Sequence, residues 1–238
     1  MKRVAKFLFL SSMSVCILGL LTILFSYFFL KPSLPEISLV DESYLQMPLK
    51  IYTEDGVLIG EFGEIKRRPI PFKDIPEDLR NAFIAAEDSN FFNHQGISYK
   101  GLIRSFVRCI SSDGCSGGGG TITMQVVRGY LLSRDKTISR KVKEIFLALE
   151  LEGTLSKEEI FELYVNRIFL GNRSYGIEAA ANTYFNKSVS NLSISESATI
   201  ASMAQLPSKI NPIKNPSRTK IRRNWILYRM NALGLISD

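Results

Sequence analysis

Along this chain the apolar residues fall into three regimes, and each predicts a different kind of structure. The first is unbroken: residues 7–30, from Phe7-Leu8-Phe9-Leu10 to Tyr27-Phe28-Phe29-Leu30, run for 24 positions without a charged side chain. As a helix that run would reach roughly 36 Å, enough to cross a hydrocarbon core of about 30 Å with some tilt. The second regime is short: Ile51-Tyr52-Thr53 and Val57-Leu58-Ile59 flank Glu54-Asp55-Gly56, and Asp-Gly between two such runs predicts a β-hairpin. The third recurs at helical spacing and predicts helices over 76–90 (opened by Pro76), 98–110, 121–132, 137–152, 176–185, 195–206 and 216–233. Within 137–152, Ile138, Val142, Ile145 and Leu149 mark the expected buried stripe. Ser156 and Glu159 form a capping box ahead of Ile160-Phe161-Glu162-Leu163-Tyr164, which starts a further helix. Pro207, Pro212 and Pro216 separate the last two helices, and Trp225 and the aromatics around Tyr228 are expected in the core. No internal repeat is visible.

Charge gives the apolar run a direction. Lys2, Arg3 and Lys6 precede it and only Lys31 follows immediately, which puts the N-terminus in the cytoplasm and everything after Lys31 outside. A cleaved signal peptide is the rival reading, but its apolar region would be about 7–15 residues and end in small side chains. Here the run ends in aromatics suited to a membrane interface, so an uncleaved anchor is favoured. The expected organisation is a cytoplasmic N-terminus at 1–6, a transmembrane anchor at 7–30, a linker at 31–49 stiffened by Pro32 and Pro35, and one mostly α domain at 50–238. After residue 30 the chain carries 27 Lys and Arg against 23 Asp and Glu. Such an excess suits anionic membrane surfaces, phosphorylated substrates or nucleic acid, and export argues against nucleic acid. Cys16 lies in the span. Cys109 and Cys115 either close a small loop outside the cytoplasm or remain free thiols. His94 is the chain's one histidine, which leaves too few ligands for zinc.

Three segments carry candidate chemistry. Glu87-Asp88 ends an apolar helix against Phe91 and Phe92, where low-dielectric neighbours raise a carboxyl pKa toward the range of general acid–base work. Alone, such a pair is more often a solvated helix end. Four glycines, Gly117 to Gly120, allow close backbone approach to a ligand, and Thr121 and Gln125 one turn beyond offer hydroxyl and amide groups to sugar or phosphate. No Gly-Lys-Ser/Thr ending follows, so this is not a P-loop. On the 137–152 helix Arg140 and Glu144 stand at i and i+4, with Lys136 leading onto the same face. They form either a solvent-facing ladder worth a few tenths of a kcal/mol per pair, or, with Arg128, an anion site around a second carboxylate. His94 is either an acid–base group or a hydrogen-bonding residue ordering the turn before Gly96.

At these positions the chain resembles the peptidoglycan glycosyltransferases (glycosyltransferase family 51), the transglycosylase domains of class A penicillin-binding proteins and of monofunctional transglycosylases. Glu87-Asp88-x-x-Phe91-x-x-His94-x-Gly96 matches their first signature, and Gly118 to Gln125 resembles the second. Arg140-Lys141-Val142-Lys143-Glu144 matches the third. Glu162 to Asn166, and Gly176 to Ala181 with Tyr184-Phe185, are similar to the fourth and fifth. The resemblance implies a mainly α, lysozyme-like domain with a small membrane-proximal jaw. It implies lipid II as substrate and a β-1,4-linked glycan strand as product, at the periplasmic or extracellular side of a bacterial inner membrane, alongside other cell-wall synthesis proteins. Position by position, it makes Glu87 the base for the acceptor 4-hydroxyl and Glu144 the second carboxylate, assisting at the leaving diphosphate or at a divalent cation (Mg or Mn) there. Arg128 and Lys136 become diphosphate contacts, and no organic cofactor is expected.

Two positions depart from the family pattern Gly-Gly-Ser-Thr-Ile-Thr-Gln-Gln: Gly120 stands for the serine and Met124 for the first glutamine. Nothing in the sequence points to a transpeptidase, so the chain reads as a monofunctional transglycosylase or a piece of a bifunctional protein. Two rivals remain: a non-catalytic module binding lipid II or wall components, and a glycan-cleaving enzyme on a similar scaffold. The anchor and the Arg140–Glu144 pair count against the second.

Overall fold

The computed structural model describes residues 13–14, 17–19, 21–22, 25–40, 49–62, 66–111, 120–133 and 137–237. Residues 25–30 are helical and lead into 3-10 turns at Lys31–Ser33 and Ile37–Leu39. The expected hairpin follows: β1 (Leu49–Tyr52) pairs antiparallel with β2 (Leu58–Phe62), Leu49 opposite Phe62 and Tyr52 opposite Leu58, around a turn in which Gly56 has φ +82°. Two-residue strands β3 (Lys66–Arg67) and β4 (Ser174–Tyr175) pair in parallel. The rest of the described chain is helical: α1 (Glu77–Glu87), α2 (Tyr99–Ser111), α3 (Ile122–Tyr130), α4 (Ile138–Thr154), α5 (Lys157–Arg167), α6 (Ile177–Phe185), α7 (Ile194–Met203) and α8 (Pro216–Ala232).

Local sequence explains where these helices start. Thr121 and Thr137 cap α3 and α4 by accepting the N–H three residues on, and full capping boxes open α5 (Ser156, Glu159) and α7 (Ser193, Glu196). Pro216 occupies the first turn of α8, where its missing N–H costs nothing. Every residue of α7 from Ser197 to Met203 is buried, so this helix of small and apolar side chains runs through the centre, with α1 and α8 packed on it. A second layer places α3 against α4 and α5. The layers share one core in which Phe83 meets Tyr164 edge-on at 5.9 Å and Phe91 meets Phe161 at 6.1 Å. Each fully buried phenylalanine or leucine here contributes about 1.5–3 kcal/mol relative to exposure.

Two expectations are corrected. The buried face of α4 is Glu144, Leu147, Ala148 and Leu151, whereas Leu149 is 43% exposed. Apolar residues cover more than one side of this helix. The inner face meets α3, while on another side Phe146 meets Tyr27 edge-on at 5.2 Å and the Ile37–Leu39 turn also packs on this helix. Trp225 and Tyr228 are also not core: α8 turns Thr219, Ile226 and Met230 inward, leaving Trp225 at 41% and Tyr228 at 70% exposure.

Much of the predicted span at 7–30 lies outside the described residues, and among the described residues no helix is long and apolar enough to cross a membrane. Lys136, Cys16, Cys115 and glycines 117–119 also lie outside them, as does the side chain of Cys109.

Candidate active site

The two candidate carboxylates sit in different surroundings. Glu87 is the last residue of α1, half-buried, and its Oε2 accepts a hydrogen bond from Gln125 Nε2 on α3 at 3.1 Å. Burial raises its pKa above the usual carboxylate value, and the Asp88 charge adds to the rise. The Gln125 hydrogen bond and the Arg222 and Arg128 charges oppose it. From α5 the Tyr164 hydroxyl lies near enough to feel the Glu87 charge. It is buried and has no hydrogen-bond partner among the described residues, and its own pKa is pushed well above the usual tyrosine value. Tyr164 therefore stays a proton donor.

Glu144 is buried on α4 with its side chain 1% exposed. Arg140 Nη1 donates to one carboxylate oxygen and Lys141 Nζ to the other at 2.9 Å. A buried anion needs such partners, because desolvation alone would cost several kcal/mol. Burial, with the Arg128 and Arg140 charges, holds Lys141 down to about 8. Arg128 is exposed on α3 and acts on both Glu87 and Lys141, so it joins the two clusters.

Asp88 and His94 order this region. Asp88 Oδ2 pairs with His94 Nε2 at 2.9 Å and accepts the Ile122 N–H at 3.1 Å, tying the end of α1 to the start of α3. Thr121 has no hydroxyl capacity turned outward. It donates to the Gly96 carbonyl at 2.6 Å, accepts the Met124 N–H at 3.1 Å and is buried. Gly96 has φ +76°, and a Cβ there would lie 2.7 Å from the Ala148 carbonyl oxygen, so the turn after His94 admits only glycine. Met124 is core, 1% exposed, and a Cβ at Gly120 would meet nothing nearer than 3.8 Å.

The structure thus brings Glu87, Gln125, Arg128, Arg140 and Glu144 into linked clusters, assigns Thr121 to the scaffold, and leaves Lys136 outside the described residues. It adds two residues that sequence reasoning passed over. Lys141 was readable from its i, i+3 spacing to Glu144, while Arg222 reaches Glu87 from α8, 135 positions away, with no local signal. The fourth and fifth signatures prove to be braces. Asn166 accepts the Ile70 N–H and donates to the Ile70 carbonyl, and Glu162 accepts the Phe72 N–H at 2.5 Å, fixing the approach to α1. Glu178 accepts the Val189 N–H at 2.9 Å.

A divalent cation would need oxygen ligands with free lone pairs. Both Glu144 oxygens are held by cations, and among the described residues no cluster of three or more His, Cys, Asp or Glu could hold a metal ion. Among the described residues the donor set does not fit one.

The domain that carries these two carboxylate clusters is mainly helical, and the chain belongs to the transglycosylase family, whose model matches residues 55–231. Its relatives include penicillin-binding protein 1A of Pseudomonas aeruginosa, 49% identical over 236 residues (99% of this chain, 29% of that protein). Penicillin-binding protein 1A of Haemophilus influenzae is 46% identical over 228 residues (96% and 25%). The crystal structure of the Haemophilus influenzae protein aligns with a TM-score of 0.45 at 32% identity, over 82% of this chain and 19% of that one. The chain therefore spans between 25% and 29% of the length of these two curated relatives.

Proposed function

We propose that this domain is a membrane-anchored peptidoglycan glycosyltransferase that polymerises lipid II into β-1,4-linked glycan and releases undecaprenyl diphosphate. The observation that carries the reading is the contrast between Glu87, desolvated and proton-accepting, and the cation-caged Glu144, with Arg128 acting on both clusters. In the transfer, Glu87 takes the proton of the acceptor 4-hydroxyl as that oxygen bonds to the donor C1. The C1–O bond to the diphosphate breaks, and its electron pair leaves with the diphosphate. Attack opposite the leaving group inverts the α-linked donor to a β-linkage, as in inverting glycosidases with a sugar hydroxyl replacing water. Arg128, Arg140 and Lys141 are fixed donors for the negative charge that develops on the leaving group, and Lys136 belongs to the same group by resemblance.

The same reading places the domain at 50–238 on the periplasmic or extracellular face of the bacterial inner membrane, behind the anchor at 7–30 and the linker at 31–49, with cell-wall synthesis proteins as partners. The Tyr27–Phe146 contact supports an anchor docked on α4. The membrane-facing jaw is supported by α2, where Tyr99, Ile103 and Val107 stand exposed at i, i+4 and i+8 beside the exposed Lys100 and Arg104.

The test is to incubate the full chain in detergent micelles with labelled lipid II and a divalent ion. Polymer that disappears in Glu87→Gln is expected. Binding without polymer would favour the non-catalytic module, and release of fragments from preformed glycan would sink the synthase reading.

A further inference from the structure

We propose that Arg222 is a positioning residue of the transfer step: from α8 it fixes the end of α1 that presents the Glu87 carboxylate and brings a permanent positive charge to that end. The inference rests on the reading of Glu87 as the base. Its starting point is geometric. The carbonyls of the last turn of a helix have no partner within the helix, and Arg222 Nη2 reaches one of them, the Ala86 carbonyl, at 3.4 Å. Ala86 directly precedes Glu87, so the contact ties α8 to the backbone that aims the carboxylate.

The guanidinium is held in place by the Trp225 ring, three residues on in the same helix, whose centroid lies 4.1 Å away. Arg229 approaches the same ring at 5.7 Å. This explains why Trp225 sits at the surface rather than in the core: its indole is a platform for arginine. Arg222 Nε is buried and has no hydrogen-bond partner among the described residues. A permanently charged side chain is thus partly drawn out of water within electrostatic reach of a carboxylate that burial pushes toward protonation. The two effects offset each other, since the Glu87 charge favours the charged form of Arg222 and Arg222 favours that of Glu87.

Other groups around Glu87 do not supply this function. On its own chain segment Asp88 works against ionisation. From α3, Arg128 assists but is exposed and shared with the Lys141 cluster, while Gln125 contributes a neutral amide. From α5, Tyr164 is a neutral phenol at working pH. His94 is committed to Asp88. The charged residue of α7, the other helix packed on α1, is Glu196, paired with Lys187. Arg222 is therefore the cation dedicated to Glu87.

The test follows Glu87 directly by carbon-13 NMR of the full chain in detergent micelles with carboxyl-labelled glutamate, Glu87→Gln identifying the resonance. Removing a nearby positive charge makes a carboxyl harder to ionise. Arg222→Gln should therefore move the Glu87 midpoint up by about one pH unit, the low end of the usual range for an opposite-charge neighbour. Arg222→Lys should restore most of the shift. Arg223→Gln, which removes the same charge one residue away, should leave the midpoint in place. With lipid II as substrate, the acid limb of polymerisation should move with the NMR midpoint. An unmoved midpoint in folded Arg222→Gln, judged by thermal melting, would overturn the proposal, as would an equal shift in Arg223→Gln. A shifted midpoint with no polymer from the parent protein at any pH would instead overturn the transferase reading, and Arg222's part in transfer with it.

Discussion

Glu87 ends a helix, half-buried, with a neutral amide as its hydrogen-bond donor and its countercharges at a distance; Glu144 sits in the middle of a helix, sealed from water, with a guanidinium and an ammonium on its two oxygens. The side chain is the same, but Glu87 is placed where its proton affinity is raised and exchange with a substrate hydroxyl is feasible. Glu144 is placed where each of its oxygens is held by a cation, and its role is to organise those cations. If the proposed transfer runs here, removing a proton on one side and receiving negative charge on the other, the surrounding residues decide which carboxylate does which.

The hardest blow to this comparison is Glu87→Gln. It keeps shape and the Gln125 contact while removing the base, so polymerisation should fall about 10²–10⁴-fold with circular dichroism and melting preserved. Residual activity above a tenth of the parent would mean that another group takes the proton. The matching change, Glu144→Gln, should act first on stability. It leaves Arg140 and Lys141 facing a neutral amide, at an expected loss of about 2 kcal/mol in chemical denaturation, kept modest because Lys141 is 38% exposed. Equal stability would mean that the cations find water as readily as they find Glu144.

A pH profile sharpens the contrast, because the two clusters titrate from opposite sides. Glu87 must be ionised to act, so activity rises with pH through its raised pKa. Lys141 must be protonated to hold charge on the leaving diphosphate, so activity declines as pH passes about 8. Lys141→Arg should extend the alkaline side, since guanidinium keeps its proton there; an unchanged limb would assign it elsewhere. The stability signs also follow. Glu87 binds its proton more tightly folded than unfolded, so its contribution is present at low pH and is lost as pH rises through the folded pKa. Lys141 binds its proton less tightly folded, so stability rises with pH between about 8 and the unfolded value near 10.4.

Much of this frame was legible from local chemistry. The Ser156–Glu159 capping box, Pro216 and the Asp55-Gly56 turn act within a few residues, and the helices and hairpin read from the sequence are present with small shifts at the ends. What local reading misjudged was which side of an element meets which neighbour. α4 has apolar residues on two sides, so period alone chose the stripe holding Leu149 over the one holding Leu147 and Leu151. An i, i+4 Arg–Glu pair looks the same on a solvated face as around a buried carboxylate; only the packing of α3 on α4 distinguishes them. Arg222 and Trp225 lie further out of reach, because their purpose exists only once α8 has folded back on α1.

The smallest expected effect concerns the two departures from the family pattern, which the structure separates. Met124 points into the core, where a glutamine amide would need a buried partner, so its side chain belongs to packing rather than to the Glu87–Glu144 contrast. Gly120 stands beside the contrast: a Cβ there would lie 3.8 Å from Lys141 Nζ and 3.8 Å from the Met124 Cβ, ordinary contact distances, so nothing in the packing demands glycine. Gly120→Ser should therefore be tolerated within about 0.5 kcal/mol. Its hydroxyl would add a neutral polar group at the edge of the Lys141–Glu144 cluster and leave Glu87 alone. The expected signature is a modest fall in KM for lipid II with an unchanged acid limb. A moved acid limb would show that the two carboxylates are coupled more tightly than their separate surroundings imply.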